Sequence, residues 1–497
     1  MKRSRLPVAC SILLLLTVTD SAFPTVRHLK IIHWNDFHSQ IEPITSAKTI
    51  RGGFLNFKRV VDSLRAVAAK YGDACLALDA GDEFQGTLIS TITKGRASYR
   101  LLNLIKPDAV TLGNHEFDYG WPNLRTLLRS TVHFPVTNAN ISDETGSPIA
   151  KRYIIKRVHG LRVAIIGLTL QSLASSTLPK SILGLHIEQY DSVLPNILRE
   201  VKQRSPDLII LLTHIGVEAD SALAARYPEV NVIVGGHSHT PLQHPMRVGR
   251  TVIVQAGSKG RWVGELDLDV DTDGDSVVSS SGRLIDVCPG DNTDATAARA
   301  VKTLLTLVDS SYSEQIGTLI HDWYNRYEYN SNLSCFEASV FREALGSDLG
   351  CINHGGIRKS LPKGPILLKD IYEINPFQNE LMRITIRGDR LREALEHMLS
   401  GDASETCDFS GLRCVFDRTQ HAITSIMIGE KELKETAQYA IVTNAFVASK
   451  LNAIFGLHPT DVSIEPLGST DADIIAAEIR RRRKIDGTVV PWLTQRN

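Results

Sequence analysis

Between residues 29 and about 287, short apolar runs alternate with stretches of helical periodicity, and this alternation restricts the fold more than any other feature of the chain. Strand candidates fall at 29–33, 75–78, 109–112, 163–168, 208–212, 230–234, 251–255 and 265–270, with helical periodicity at 57–69, 121–128, 193–204 and 220–225. Strands and helices in alternation predict a layered α/β domain. Five segments rich in metal-ligand side chains punctuate it, and most follow an apolar run. They are His33-Trp34-Asn35-Asp36-Phe37-His38, Asp79-Ala80-Gly81-Asp82, Gly113-Asn114-His115-Glu116-Phe117-Asp118, Thr213-His214 and Gly235-Gly236-His237-Ser238-His239. A strand that ends in Asp or His holds a ligand on a rigid frame, and open α/β sheets bind ligands beyond their strand C-termini.

The ligand types point to two adjacent metal sites. Asp36 and His38 are two residues apart, so in an extended segment they face one way and grip one ion, with His239 returning to the same ion. The two oxygens of Asp82 bridge to a second ion, which takes Asn114, His214 and His237. Mixed Asp/His/Asn ligation suits zinc, manganese or iron, whereas magnesium and calcium favour all-oxygen shells; zinc or manganese is the expected pair. Each segment alone is a weak motif. Five in order, on strand ends, make coincidence a poor explanation.

With 497 residues the chain exceeds one ordinary core, so two domains are expected. Its 43% hydrophobic and 22% charged residues are those of a globular protein. Lys+Arg and Asp+Glu both number 55, which removes any general electrostatic case for nucleic acid as a partner. Lys2, Arg3 and Arg5 precede an apolar run with Leu13 to Leu16, then small Ser21-Ala22; residues 1–22 read as a secretory signal peptide. The tail beyond Trp492 is polar and lacks the hydrophobic segment of a lipid-anchor signal, so a secreted protein without a stable membrane anchor is expected. Six cysteines remain beyond Cys10. In a secreted chain they suggest disulfides, Cys407–Cys414 and Cys335–Cys351 being two possibilities, with Cys75 a buried free thiol. Asp271 to Asp275 resembles part of a calcium loop but reads better as a hairpin turn, and Arg480 to Lys484 as the solvated end of a helix. Asn140 and Asn332 fit the glycosylation pattern.

The five segments, together with Asp82-Glu83-Phe84-Gln85-Gly86-Thr87 and Val254-Gln255-Ala256-Gly257-Ser258, resemble the calcineurin-like metallophosphoesterases, and within them the 5′-nucleotidase family that includes ecto-5′-nucleotidases and salivary apyrases. The resemblance implies a four-layered α/β metallophosphoesterase domain over 27–290, a linker helix over 291–315, and a smaller α/β 5′-nucleotidase C-terminal domain over 316–497 that binds substrate. It implies two divalent metal ions, His115 as the residue that stabilises the transition state and protonates the leaving group, and Asp118 as the group orienting that imidazole. Asn353-His354-Gly355-Gly356-Ile357-Arg358 resembles the segment whose Asn and Arg contact the nucleotide, and Asn375-Pro376-Phe377 the one whose ring stacks on the base, so Asn353, Arg358 and Phe377 are the implied substrate residues.

Two departures bear on selectivity. The family's second stacking aromatic sits in a glycine-rich loop, whereas this chain has Lys450-Leu451-Asn452-Ala453-Ile454-Phe455, with Ile454 nearest the missing ring and Phe455 able to serve only if the loop is shifted. Arg326 is one position off the family's arginine. Base recognition is therefore expected to be altered. The implied activity is removal of terminal phosphate from extracellular nucleotides: AMP and related substrates for a 5′-nucleotidase, ATP and ADP for an apyrase. A secreted binding protein on the same scaffold is the non-enzymatic alternative.

Overall fold

In a computed structural model, residues 26–45, 49–291, 294–401, 403–488 and 490–496 are described. The segment read as a signal peptide lies outside them. Two six-stranded sheets form the centre of the first domain. One runs in the order Ser276–Asp286, Trp262–Asp271, Val26–Trp34, Ala74–Asp79, Ala109–Thr111 and Val136–Thr137. The other runs Met246–Val248, Thr251–Val254, Val232–Val234, Leu208–His214, Leu161–Thr169 and Tyr153–Val158. Four consecutive strands in each are parallel, so their C-terminal ends emerge along one edge.

Side-chain alternation sorts these strands into three apolar layers. Leu29, Ile31, Leu76 and Leu78 meet Val163, Ile165, Leu208, Ile210 and Leu212 between the sheets. On the outer face of the first sheet, Ile32, Trp34 and Ala77 pack with Phe57 and Val61 of the helix Phe54–Tyr71 and with Val301 and Val308 of Ala295–Tyr312. On the outer face of the second, Ala164, Ile166, Ile209 and Leu211 pack with Leu194, Ile197 and Leu198 of Tyr190–Lys202. The result is a four-layered helix–sheet–sheet–helix domain. Strands buried on both faces read as continuous apolar runs, which is why their positions are visible in the sequence. The helix Arg96–Ile105 is an addition to the sequence expectations.

The second domain is built on a five-stranded sheet in the order Cys407–Ser410, Leu349–Asn353, Gln438–Asn444, Glu380–Arg387 and Val462–Thr470. Its two faces carry separate cores, one with the helices Asn332–Ala344 and Asp471–Arg482, the other with Gly388–Ser400. The segment Asp271 to Asp275 is the hairpin turn between Trp262–Asp271 and Ser276–Asp286. Arg481 and Arg482 end a helix and both bond Glu478. Asn140 is fully buried, with its amide donating to the Thr169 carbonyl, so the folded chain offers no glycan attachment there.

Among the described residues, all six cysteines are free thiols, against the disulfide expectation. Cys407 lies in the five-stranded sheet, but after Gly411 the chain enters a different sheet that carries Cys414, so the short sequence separation does not pair them. Cys335 and Cys351 lie on a helix and a strand of the same apolar core. Burial pushes the Cys75 thiol up to about 11. Among the described residues, no helix is long and apolar enough to cross a membrane.

Candidate metal centre

Every predicted ligand lies at the common C-terminal strand edge. Asp36 and His38 follow Val26–Trp34, Asp82 follows Ala74–Asp79, Asn114 follows Ala109–Thr111, His214 ends its strand, and His237 and His239 follow Val232–Val234. The local geometry of the first pair differs from the expectation. Asp36 and His38 both have φ of 51°, in the left-handed region, so the segment is a tight turn and not an extended strand end. Amides of this turn donate to the 81–83 loop, Asp36 N to Gly81 O at 2.8 Å and His38 N to Asp82 O at 3.0 Å. Loop-to-loop bonding, and not strand alternation, brings the two side chains together.

The donor atoms converge. His38 Nε2 lies 3.0 Å from His239 Nε2, and His239 Nε2 lies 3.1 Å from Asp36 Oδ1. His214 Nε2 lies 3.0 Å from Asp82 Oδ2 and 3.9 Å from Asp36 Oδ1. His237 Nδ1 lies 3.1 Å from Asn114 Oδ1. Two clusters share Asp36: one with His38 and His239, the other with Asp82 and His214. A third joins His38, Asp82 and His115.

These side chains suit a cation in tautomer, spacing and charge. His38 Nδ1 donates to Phe84 O at 3.1 Å and His214 Nδ1 to Ala80 O at 2.7 Å, which leaves both Nε2 atoms facing inward. Donor spacings of about 3 Å are those of neighbouring ligands around one small ion with ~2 Å bonds. Asp36 Oδ2 accepts from Asn35 Nδ2 at 2.6 Å and His237 N at 2.9 Å, whereas buried Oδ1 has no well-aligned donor. Burial keeps His38 well below its ordinary pKa and lowers His237 to about 4, so both offer neutral imidazoles. At His214, burial opposes the charged form, but Asp82 and Asp36 push it up to about 10; the carboxylates draw positive charge to this spot.

His115 adjoins the cluster. Its Nδ1 lies 2.7 Å from Asp118 Oδ2, and its Nε2 lies 3.9 Å from Asp82 Oδ2. Burial disfavours the imidazolium, yet Asp118 and Asp82 outweigh it and raise the pKa. Glu116 is a buried staple: its carboxylate accepts from Gly113 N at 2.6 Å, Glu83 N at 2.8 Å and Asp82 N at 3.0 Å, fixing two ligand loops to each other.

A cavity of about 350 Å³ runs from Asn114, His115 and His237 into the second domain, where Asn353, Arg358 and Phe377 line it. The Phe377 ring lies 5.7 Å from that of His115, and the Arg358 guanidinium 6.0 Å from Phe377. Ile454 and Phe455 do not reach this space; both are buried in the second domain's core, Phe455 against Phe409. The further cavity aromatics are Tyr119, Tyr327 and Phe446. Glu405 also lines it, at 3.4 Å from Asn353 Nδ2, and no motif in the sequence signals that carboxylate. Arg326 is exposed and lies over Tyr324 at 4.8 Å.

The second domain's cavity wall rests on Asp408, which is fully buried. Asn330 N and Trp492 Nε1 donate to its Oδ1 at 2.7 and 2.6 Å, while Ser331 N, His354 Nε2 and the Ser334 hydroxyl donate to Oδ2. His354 Nδ1 in turn meets the Thr406 hydroxyl at 2.7 Å, so one histidine ties the 353–356 segment to the loop carrying Glu405, just before the strand Cys407–Ser410. Burial alone would raise Asp408, but His354, Ser334 and Trp492 hold it below the usual carboxylate range. Its stabilising effect is therefore present above the ordinary carboxyl pKa and lost as pH falls through the depressed value. Asp408→Ala is expected to cost about 3–5 kcal/mol, because it leaves buried donors unpaired. A lower Tm with unchanged metal content in the purified variant is the expected result; an unaltered Tm would show that the hub does not support the domain.

Comparison with known proteins gives the same two parts in the same order. The calcineurin-like phosphoesterase family model matches residues 29–241, and the 5′-nucleotidase, C-terminal domain model matches residues 314–455. A 5′-nucleotidase of Vibrio cholerae is 26% identical, covering 92% of this chain and 91% of that protein. Endonuclease YhcR of Bacillus subtilis is 28% identical over 86% of this chain, which spans 37% of that longer relative's length. The crystal structure of a 5′-nucleotidase precursor from Thermus thermophilus superposes with a TM-score of 0.84 at 26% identity, covering 95% of this chain and 99% of that one. Two matched domains in family order, with clustered Asp and His donors at the strand edge of the first, place this chain in the 5′-nucleotidase family of calcineurin-like, metal-dependent phosphoester hydrolases.

Proposed function

We propose that the protein is a secreted two-metal phosphohydrolase that removes the terminal phosphate of extracellular nucleotides in the manner of a 5′-nucleotidase. The continuous cavity carries this reading: it joins the donor cluster at His237 and Asn114 to the aromatic and cationic wall at Phe377 and Arg358. Asp36, His38, His239 and the shared Asp82 would hold one ion, and Asp82, Asn114, His214 and His237 the other, with zinc or manganese suited to the donors. Bound divalent ions supply Lewis acidity and lower the pKa of water for in-line attack on phosphorus.

The chain's own residues do the rest. His115 donates from Nε2 toward the departing ester oxygen, because Asp118 at 2.7 Å occupies Nδ1 and fixes the ring. Phe377 offers a flat face for the base, and Asn353 and Arg358 offer amide and guanidinium donors to the nucleotide. Secretion is supported by the basic and then apolar N-terminus, from Lys2 to Leu16. One observation favours the apyrase form as a second reading. Among the described residues, the Arg358 side chain donates only to Gly355 O, at a long 3.4 Å, which leaves a guanidinium fork for an additional phosphate.

Phosphate release from AMP, ADP, ATP and a sugar nucleotide, with and without a chelator, tests both forms. Release from AMP that the chelator abolishes is expected. Turnover of ATP and ADP but not AMP would select the apyrase form. No release from any substrate by metal-loaded protein would sink the hydrolase reading.

A further inference from the structure

Gln85 stands out in the catalytic cavity for what it lacks. Its side chain is buried, with 1% of the residue exposed, and it lines the cavity beside Asn114, His115 and Asp118. Neither Oε1 nor Nε2 has a hydrogen-bond partner among the described residues. Buried carboxamides in folded proteins are nearly always bonded, so an amide with both ends open is an exception that calls for a cause. Its backbone is exceptional as well. Gln85 has φ of 66°, in the left-handed region that a residue with a Cβ seldom adopts.

The surroundings hold this conformation in place. Gln85 N donates to Ser90 Oγ at 2.8 Å, and the Tyr119 hydroxyl bonds the same oxygen at 3.1 Å. The next residue, Gly86, presses so closely on the first ligand turn that a Cβ there would lie 2.7 Å from His38 O. The Gln85 backbone is thus pinned one residue from the His38 wall of the metal cluster. An open amide and a strained backbone at one position, facing one cavity, are the marks of a side chain kept for a ligand.

We infer that Gln85 is a substrate-binding residue whose Nε2 donates a hydrogen bond to a non-bridging oxygen of the phosphoryl group being transferred. This inference rests on the phosphohydrolase reading above. The chemistry of the side chain fits the task. A phosphoryl group carries only acceptors, and a neutral amide supplies a donor without competing for the metals as a carboxylate would. Oε1 is left to accept from water or from a hydroxyl on the leaving side. A leucine or methionine would fill the same volume without a buried polar penalty, so packing does not account for an amide here.

The test uses the full-length, metal-loaded protein and two variants, Gln85→Ala and Gln85→Gly, the latter suited to the left-handed backbone. Binding of inorganic phosphate by calorimetry, kcat/KM, metal content and Tm are measured for each. Loss of one hydrogen bond to a charged group is expected to weaken phosphate binding and kcat/KM by about 10- to 100-fold. Metal content should stay constant, and the Tm of Gln85→Gly should equal or exceed that of the wild type, since strain and an open polar group are both removed. Phosphate affinity unchanged in both variants would overturn the inference. So would a fall in Tm of Gln85→Gly with kinetics that merely follow the folded fraction, because that marks a structural residue. A wild-type protein that neither binds nor releases phosphate would instead defeat the phosphohydrolase reading itself.

Discussion

His115→Ala is expected to lower kcat by roughly 10²- to 10⁴-fold while the protein retains its metals. The expectation follows from how the ring is held. Nδ1 is committed to Asp118 at 2.7 Å, so only Nε2 is available to the cavity. Asp118 and Asp82 also raise the pKa against the effect of burial, which keeps a proton on the ring for donation to a leaving oxygen. Asp118→Asn should act in the same direction but more weakly, by about tenfold, because the ring remains while its orientation and proton affinity are disturbed. Steady-state kinetics paired with metal analysis check both variants. The pairing is essential because His115 also clusters with His38 and Asp82 within ligand range. Loss of a metal equivalent from His115→Ala would assign the residue to ligation and remove its acid role.

Asp82→Ala should be at least as damaging, through metal loss instead of lost proton transfer. Its Oδ2 lies 3.0 Å from His214 Nε2, and its Oδ1 accepts His115 N at 2.9 Å, so one carboxylate ties the ligand set to the proposed acid. Burial would raise its pKa, but His214 and His115 hold it well below the usual range, so it stays an anion available to cations. Metal content is expected to fall below the wild-type value and turnover to roughly 1% or less, with partial recovery in excess zinc or manganese. Gly113→Ala tests the same group without deleting it. A Cβ on Gly113 would sit 2.1 Å from Asp82 Oδ1, so the carboxylate must move. Metal affinity is expected to drop about 10- to 100-fold by titration with a competing chelator. Wild-type affinity in Gly113→Ala would falsify the assignment of Asp82 as a shared ligand.

Parts of this site are visible before any folding is considered. The strand ends announce themselves because parallel strands covered on both faces are continuous apolar runs, and most of the ligand-rich segments directly follow such a run. The turn at Asp36 and His38 is not visible in this way. Its left-handed backbone is imposed by bonds to Gly81 and Asp82, some forty-five positions away, and a local reading defaults to an extended pair. Cysteine spacing misleads for a related reason. Cys407 and Cys414 are near in sequence, but the turn at Gly411 sends them into different sheets.

The cavity wall in the second domain shows the same division most clearly. Phe446 lines the cavity whereas Ile454 and Phe455 are in the core, although all three lie in one short stretch. Which of them faces the cavity depends on how two short helices, Ala445–Ser449 and Leu451–Phe455, seat on the sheet. It depends too on the docking of the domains, made by Lys450 on Ala174 O, Thr91 on Pro376 O and Lys259 on Arg358 O. The amino-acid order alone settles the kinds of chemistry available, since a donor atom belongs covalently to its residue and a strand-end position repeats a recognisable pattern. Tertiary structure settles which donors cluster together, which aromatics line the cavity and which amide is left open, as with Gln85. Those are properties of distances between residues far apart in the chain, set by non-local packing and by backbone conformations that no local preference encodes.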